Sequence, residues 1–427
     1  MNKKLTFTLI TTEGFIMKKI NYLVGLVLTS SLLSACGGGG DGNSQSSVKP
    51  NDENLLESTE GRLLVINEDT NRPELSLYDL NQSKTIDRVA LSSVPTGVYA
   101  SPAFRYGVLL DRNNHQVHFY DSGLLAKNDK ILSTKPQLLN YQLFGASPTH
   151  YRNFNGQAAI FYDGNETASS KFDVFTESGI GSKNIASQSL PYKHHGVAEP
   201  LREYVLSSYL DQDQTKLSIV KSYGQHADHY HEEQTLTNRC SGLHGASSVK
   251  GYSAFGCEDG VLLVEHHSNQ FKDYKLPVDV RIGTVVGQAN ANELVGLAST
   301  TPDLFIINGE NRRVQQITWT EKDSDVKRLK QVYSQSGNYF VVLDSLGQLV
   351  VFDAKTWMVK QRIQVIDRGS EAVAKANLVA NGQQDRVFVN DVLTKKIYEI
   401  DLVTAKLVRT IQLDVVPQQF VWLGVAK

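Results

Sequence analysis

Residues 339–353 read Tyr-Phe-Val-Val-Leu-Asp-Ser-Leu-Gly-Gln-Leu-Val-Val-Phe-Asp. Two apolar runs, each ending in Asp, flank a turn that contains Gly. The runs are too short for helices and rich in β-branched and aromatic residues, so they predict two buried antiparallel strands. The same sentence recurs elsewhere. Arg386-Val-Phe-Val-Asn-Asp391 is followed by Lys396-Ile-Tyr-Glu-Ile-Asp401, and Tyr106-Gly-Val-Leu-Leu-Asp111 by Gln116-Val-His-Phe-Tyr-Asp121. A unit of about forty residues that repeats such strand pairs points to a β-propeller rather than a sandwich. Units start near 97, 150, 195, 244, 283, 331 and 376, and an incomplete one spans 62–92 with three strands. Phe420–Gly424 supplies its missing inner strand, which closes the ring with both chain ends and removes exposed edges. The expected fold is all-β, a single propeller over 59–427, with eight blades, or seven if one unit is irregular.

Composition is neutral towards function. Of 427 residues 21% are charged and the formal net charge is −2, so no basic field calls for nucleic acid. The N-terminus reads as a targeting segment. Met17-Lys18-Lys19 opens a positive region, an apolar run follows from Tyr22 to Leu33, and Leu33-Ser34-Ala35-Cys36 matches the lipobox of bacterial lipoproteins. Residues 1–36 are therefore expected to be a lipoprotein signal peptide, with Met17 a candidate start and Cys36 the lipidated first residue of the mature chain. Gly37 after the cysteine fits an outer-membrane destination on the periplasmic side. The Gly/Ser/Asn-rich stretch 37–58 is expected to be a flexible tether. Membrane contact is then through the lipid anchor only.

Chemistry concentrates in one part of the chain. The eleven histidines are 115, 118, 150, 194, 195, 226, 229, 231, 244, 266 and 267, and none follows His267. Uniform blades give no reason for that asymmetry. Aligned on the strand that follows each, His150, His195 and His244 occupy the same place in three successive units, at the head of the first strand, bordering the axial channel. Three imidazoles converging from adjacent blades suit zinc, with bonds of about 2.0–2.1 Å and a fourth ligand from water or a carboxylate. Glu199, Glu258 and Asp259 are the carboxylate candidates. His194 is a further candidate, as an alternate ligand or a support for one. Each histidine could instead cap its blade through the backbone, but three in matched register favour a metal.

A second set, His226, Asp228, His229 and His231, lies between strands and reads as an exposed loop able to wrap a metal, more weakly than a preformed funnel because the loop must be ordered. His115, His118, His266 and His267 are assigned to structure. Besides Cys36 there are two cysteines, Cys240 and Cys257. An exported pair can form a disulfide or a thiolate metal site, and both readings stand at this point. No nucleophile elbow, phosphate-binding loop, dinucleotide fingerprint or His-Glu-x-x-His helix occurs.

At these residues the chain resembles a known family. His194-His-Gly-Val-Ala, Leu243-His-Gly, Gly256-Cys-Glu-Asp-Gly-Val and Val117-His-Phe-Tyr-Asp-Ser-Gly are similar to the AztD-type periplasmic zinc metallochaperones. Those are β-propellers of zinc ABC-transporter operons that pass zinc to the solute-binding protein. The resemblance spans about 60–427 and is most specific between 117 and 261. It implies that His150, His195 and His244 are zinc ligands, that Cys240 and Cys257 form a disulfide, and that the partner is a zinc solute-binding protein. Members of that family carry a His/Asp-rich stretch soon after the Asp-Ser-Gly turn. Here Leu124–Leu139 has no histidine, and the His-rich run lies at 226–231 instead. The expected function is a non-enzymatic, lipid-anchored zinc chaperone or reservoir facing the periplasm. The alternatives are a propeller scaffold for outer-membrane protein assembly and a zinc-dependent hydrolase.

Overall fold

The structure, a computed structural model, describes residues 54–68, 71–213, 215–267, 270–321 and 324–426. The signal peptide, Cys36 and the first part of the 37–58 tether lie outside the described residues. Eight antiparallel four-stranded blades follow one another. Blade 1 covers 62–90 and takes its inner strand, Gln419–Leu423, from the C-terminus. Blades 2 to 8 cover 97–144, 148–189, 198–235, 244–277, 282–317, 328–364 and 378–412. Among the described residues no helix is long and apolar enough to cross a membrane.

The core lies between blades rather than in one centre. Separate apolar clusters fill the seams of blades 1 and 2 (Leu64, Leu109, Tyr120) and 2 and 3 (Val108, Phe119, Ile160). Others join 3 to 4 (Phe161, Phe172, Tyr223) and 4 to 5 (Leu206, Phe255, Leu262). One cluster runs through blades 5, 6 and 7, one joins 7 to 8, and one built on Leu63, Phe388 and Trp422 joins 8 back to 1. The seams therefore run round a closed ring, and the apolar alternation of each blade's middle strands is what fills them.

The recurring Asp at strand ends has a local cause. The side-chain oxygens of Asp79, Asp111, Asn308, Asp353, Asp391 and Asp401 accept backbone N–H groups two or three residues on. The residue four positions on then enters the left-handed region, as Ser83, His115, Arg312, Trp357, Lys395 and Ala405 do. These are Asx-type turns, in which a short carboxylate or amide replaces missing backbone acceptors. His115 is one such turn residue, and its Nδ1 accepts the Ser147 N–H at 3.1 Å.

Two expectations are corrected. The last part of the 37–58 stretch is ordered, because Asn54–Leu56 pair with Lys130–Ser133 in a three-stranded sheet inserted into blade 2. The 226–231 run is a hairpin, not a loop. The strand Ile219–His226 turns through Ala227 and Asp228 into His229–Thr235, because outer blade strands are held by main-chain pairing and need few apolar side chains. The disulfide expected at the cysteines is present. Cys240 and Cys257 are bonded, with Cα atoms 5.0 Å apart, tying the segment before blade 5 to the blade's second strand. Closing a loop of that size is worth about 3 kcal/mol of chain entropy.

Candidate metal centre

Two inner-strand positions and one connecting segment bring the imidazoles together. His150 is the third residue of Pro148–Phe154 and pairs with Phe161, while His244 opens His244–Val249 and pairs with Gly256. Both partners are the fifth residue of a six-residue second strand, so these two histidines do share one register. His195 departs from it. It sits three residues ahead of Ala198–Leu201, on the connecting segment. Glycine follows both His195 and His244. A side chain on Gly196 would collide with the Ser208 hydroxyl, and Gly245 has φ +69°, which puts a kink in the ladder directly after His244.

The Nε2 atoms of His150 and His195 are 3.1 Å apart and those of His195 and His244 are 3.3 Å apart. Ligand atoms of all three lie within 4.8 Å of one another. A tetrahedral ion with bonds of about 2.0–2.1 Å has ligand–ligand edges of about 3.3–3.4 Å, which the His195–His244 spacing matches and the His150–His195 spacing approaches. His195 has a side-chain exposure of 48%, so the cluster is open to solvent on one side.

Hydrogen bonds fix which nitrogens are free. His195 Nδ1 lies 2.9 Å from Asp163 Oδ2, and His244 Nδ1 lies 2.7 Å from the Gly283 carbonyl. A carboxylate and a carbonyl only accept, so both Nδ1 atoms carry the proton, and in the neutral rings both Nε2 atoms are lone pairs. Two lone pairs facing each other at 3.3 Å have no hydrogen to share. The arrangement can take a cation between them. Burial, with the Arg152 charge and the neighbouring imidazoles, pushes the His150 pKa down to about 3, so its ring is neutral and ready to ligate.

Asp163 was not foreseen. It directly follows the Gln157–Tyr162 strand and resembles the other strand-ending Asp residues, but it faces His195 and pairs with Arg112 at 2.8 Å. Burial opposes its charge, yet His195, Arg112 and Thr149 together hold its carboxyl below the ordinary value. Its geometry is the carboxylate–histidine–metal relay that orients a ligand and raises its basicity. Asp163→Asn is expected to weaken metal binding at the cluster by about 10–100-fold while leaving the fold intact, as read by competition with a chromogenic chelator.

The other candidates lie elsewhere. Both ring nitrogens of His194 face main-chain carbonyls, Nδ1 that of Tyr192 at 3.0 Å and Nε2 that of Ser208 at 3.3 Å, and the ring packs on Phe161. It anchors the segment that carries His195 and does not reach the cluster. Glu258 is engaged by Lys216, Ser241 and Arg281, and Asp259 by Lys275 at 2.5 Å. Glu199, on the inner strand of blade 4, is 1% exposed and its Oε2 has no partner. None of the three carboxylates joins the histidines.

Burial pushes the Glu199 pKa up to about 7, against the Arg152 charge and the Ser248 hydroxyl. The folded chain therefore holds a proton that the unfolded chain releases from about 4.5 upward. Stability falls as pH rises through that window and levels off above it. The contribution is about 3 kcal/mol. In Glu199→Gln this component disappears. Between pH 5 and pH 8 the parent chain is expected to lose about 2–3 kcal/mol more than the variant in urea denaturation; identical pH profiles would refute it.

No family model matches the chain. The zinc chaperone AztD of Citrobacter koseri is 25% identical over 328 residues, covering 72% of each chain. Two crystal structures of Citrobacter koseri AztD, one of them the apo form, superpose with a TM-score of 0.71 at 19% identity, covering 86% of this chain and 98% of theirs. Sqt1 of Saccharomyces cerevisiae matches at a TM-score of 0.50 and 10% identity, over 75% of this chain and 85% of its own. The chain resembles the AztD zinc chaperones and shares their fold.

Proposed function

We propose that this chain binds one zinc ion at His150, His195 and His244 and acts as a zinc chaperone or reservoir in the bacterial cell envelope. The observation that carries the reading is the pair of Nε2 lone pairs on His195 and His244, both turned inward by hydrogen bonds at Nδ1 and set at a tetrahedral edge length. The likeness to a protein named a zinc chaperone supports the choice of ion and a non-enzymatic role. Three protein ligands leave the fourth position to water or to an incoming ligand from a partner, as handing the ion on requires. The partner in this reading is the solute-binding protein of a zinc ABC transporter. The lipobox at Cys36 would hold the propeller at the outer membrane, facing the periplasm.

The test uses the mature chain loaded with zinc and mixed with a zinc-free solute-binding protein, each then separated and assayed for metal. Transfer of the ion supports a chaperone. Retention of stoichiometric zinc supports a reservoir. Failure to bind zinc at all would sink the reading.

A further inference from the structure

The hairpin at the outer edge of blade 4 carries a second group of imidazoles. His226 pairs with His229 across the turn, and His231 pairs with Gly224. Paired residues share a face of the ladder, and so do residues two apart, so all three rings emerge on one side. Tyr230, between them, points the other way and is 2% exposed against Phe172. Ring centroids of His231 lie 4.7 Å from His226 and 4.8 Å from His229, and the Nε2 atoms of His229 and His231 are 3.1 Å apart.

A fourth donor lies beside them. Gly224 leaves the space opposite His231 open, and the Glu233 side chain folds over it, with Oε1 3.7 Å from His226 Nε2. Asp228, read from sequence as a ligand, has another part. Its Oδ1 sits 3.1 Å from His229 Nδ1, so it takes that proton and leaves Nε2 as a lone pair turned towards His231.

The hairpin tip is also fixed in place. The Ser187 N–H donates to the Asp228 carbonyl at 3.1 Å, and Ser187 pairs with His229 in parallel, joining the outer edges of blades 3 and 4 into one sheet. The ordering cost expected of a free loop is therefore largely met by the fold itself. The position is distinct too. The tip lies beside the Leu201–Tyr204 turn, with the Gln225 N–H bonded to the Glu203 carbonyl, whereas His195 precedes the opposite end of the same blade. Strands of six or so residues separate the two ends by roughly 20 Å.

We propose that His226, His229, His231 and Glu233 form a second, solvent-open site for a borderline divalent ion such as zinc, on the face of the ring opposite His150, His195 and His244. Three imidazoles and a carboxylate are the donor set such ions prefer.

The test is zinc stoichiometry of the mature chain by equilibrium dialysis and elemental analysis. The parent chain is expected to hold two ions. H195A is expected to hold one, which the further changes H229A and H231A remove. H229A/H231A alone is expected to keep the inner ion. Unchanged zinc content in H229A/H231A would overturn the proposal whatever the inner site does. Loss of one ion in H229A/H231A but none in H195A would uphold it and count against the inner site. The H229Q/H231Q pair, in which the side chains stay polar and exposed, guards against an effect on folding, and circular dichroism of each variant checks it.

Discussion

His195→Ala is expected to lower zinc affinity at the inner site by two to three powers of ten. His195 is the shared vertex: its Nε2 is the one within 3.3 Å of both other Nε2 atoms. Zinc sites with four ligands contribute on the order of 10–16 kcal/mol, so one ligand in the set is worth about 3–4 kcal/mol, and each 1.4 kcal/mol is tenfold in affinity. The side chain is half exposed and sits on a connecting segment, so removing it leaves little cavity behind. Far-ultraviolet circular dichroism should not change. Competition titration against a chelator of known affinity reads the loss, and an H195A curve that overlays the parent curve would show that the inner histidines do not hold the ion.

The largest effect on stability is expected at Trp422. It lies in the C-terminal strand that completes blade 1 and is 1% exposed. Gly61, Gly382 and Gly424 each leave room that its indole fills, and Phe104 meets it edge-on at 5.4 Å. Its Nε1–H donates to the Glu60 carbonyl at 3.0 Å. Trp422→Ala removes the packing, for about 3–5 kcal/mol, and orphans that carbonyl, for about 1 kcal/mol more. Urea denaturation should show a lower midpoint with the slope kept. Trp422→Phe should recover part of the packing but not the hydrogen bond. A loss below about 1 kcal/mol in the alanine variant would mean that the seam between blades 8 and 1 is not held there.

Much of the fold was legible because its repeat is written in local chemistry. Residues such as 339–353 display both the alternation that buries a strand and the Asp that turns the chain, and a closing strand at Phe420 follows from the three-stranded remainder at 62–92. His150 and His244 were legible for the same reason, since inner strands share a register. Asp163 was not, because a strand-ending Asp that caps its own turn and one that faces a neighbouring blade look alike in sequence. His194 and His195 are adjacent, and which ring turns inward depends on Ser208, Tyr192 and Phe161, none of them predictable partners. The hairpin at 226–233 reads as a loop in sequence because it lies between the apolar runs that mark strands. Main-chain pairing at a blade's outer edge does not require apolar side chains.

The closing blade also sets an order in time. Glu68 bonds with Gln418 across 350 residues, and Arg62–Ile66 pair with Gln419–Leu423. Each doubling of loop length adds only about 0.6 kcal/mol to closure, so equilibrium tolerates the distance well. Kinetics does not, since contacts so far apart in sequence form late. The ring cannot shut until its last residues have arrived. Until then blade 1 lacks its inner strand, and Arg62–Asn67 presents an open edge. The first blade made is thus the last one finished, and the ring's seam is the step at which a newly made chain remains open to pairing with a neighbour.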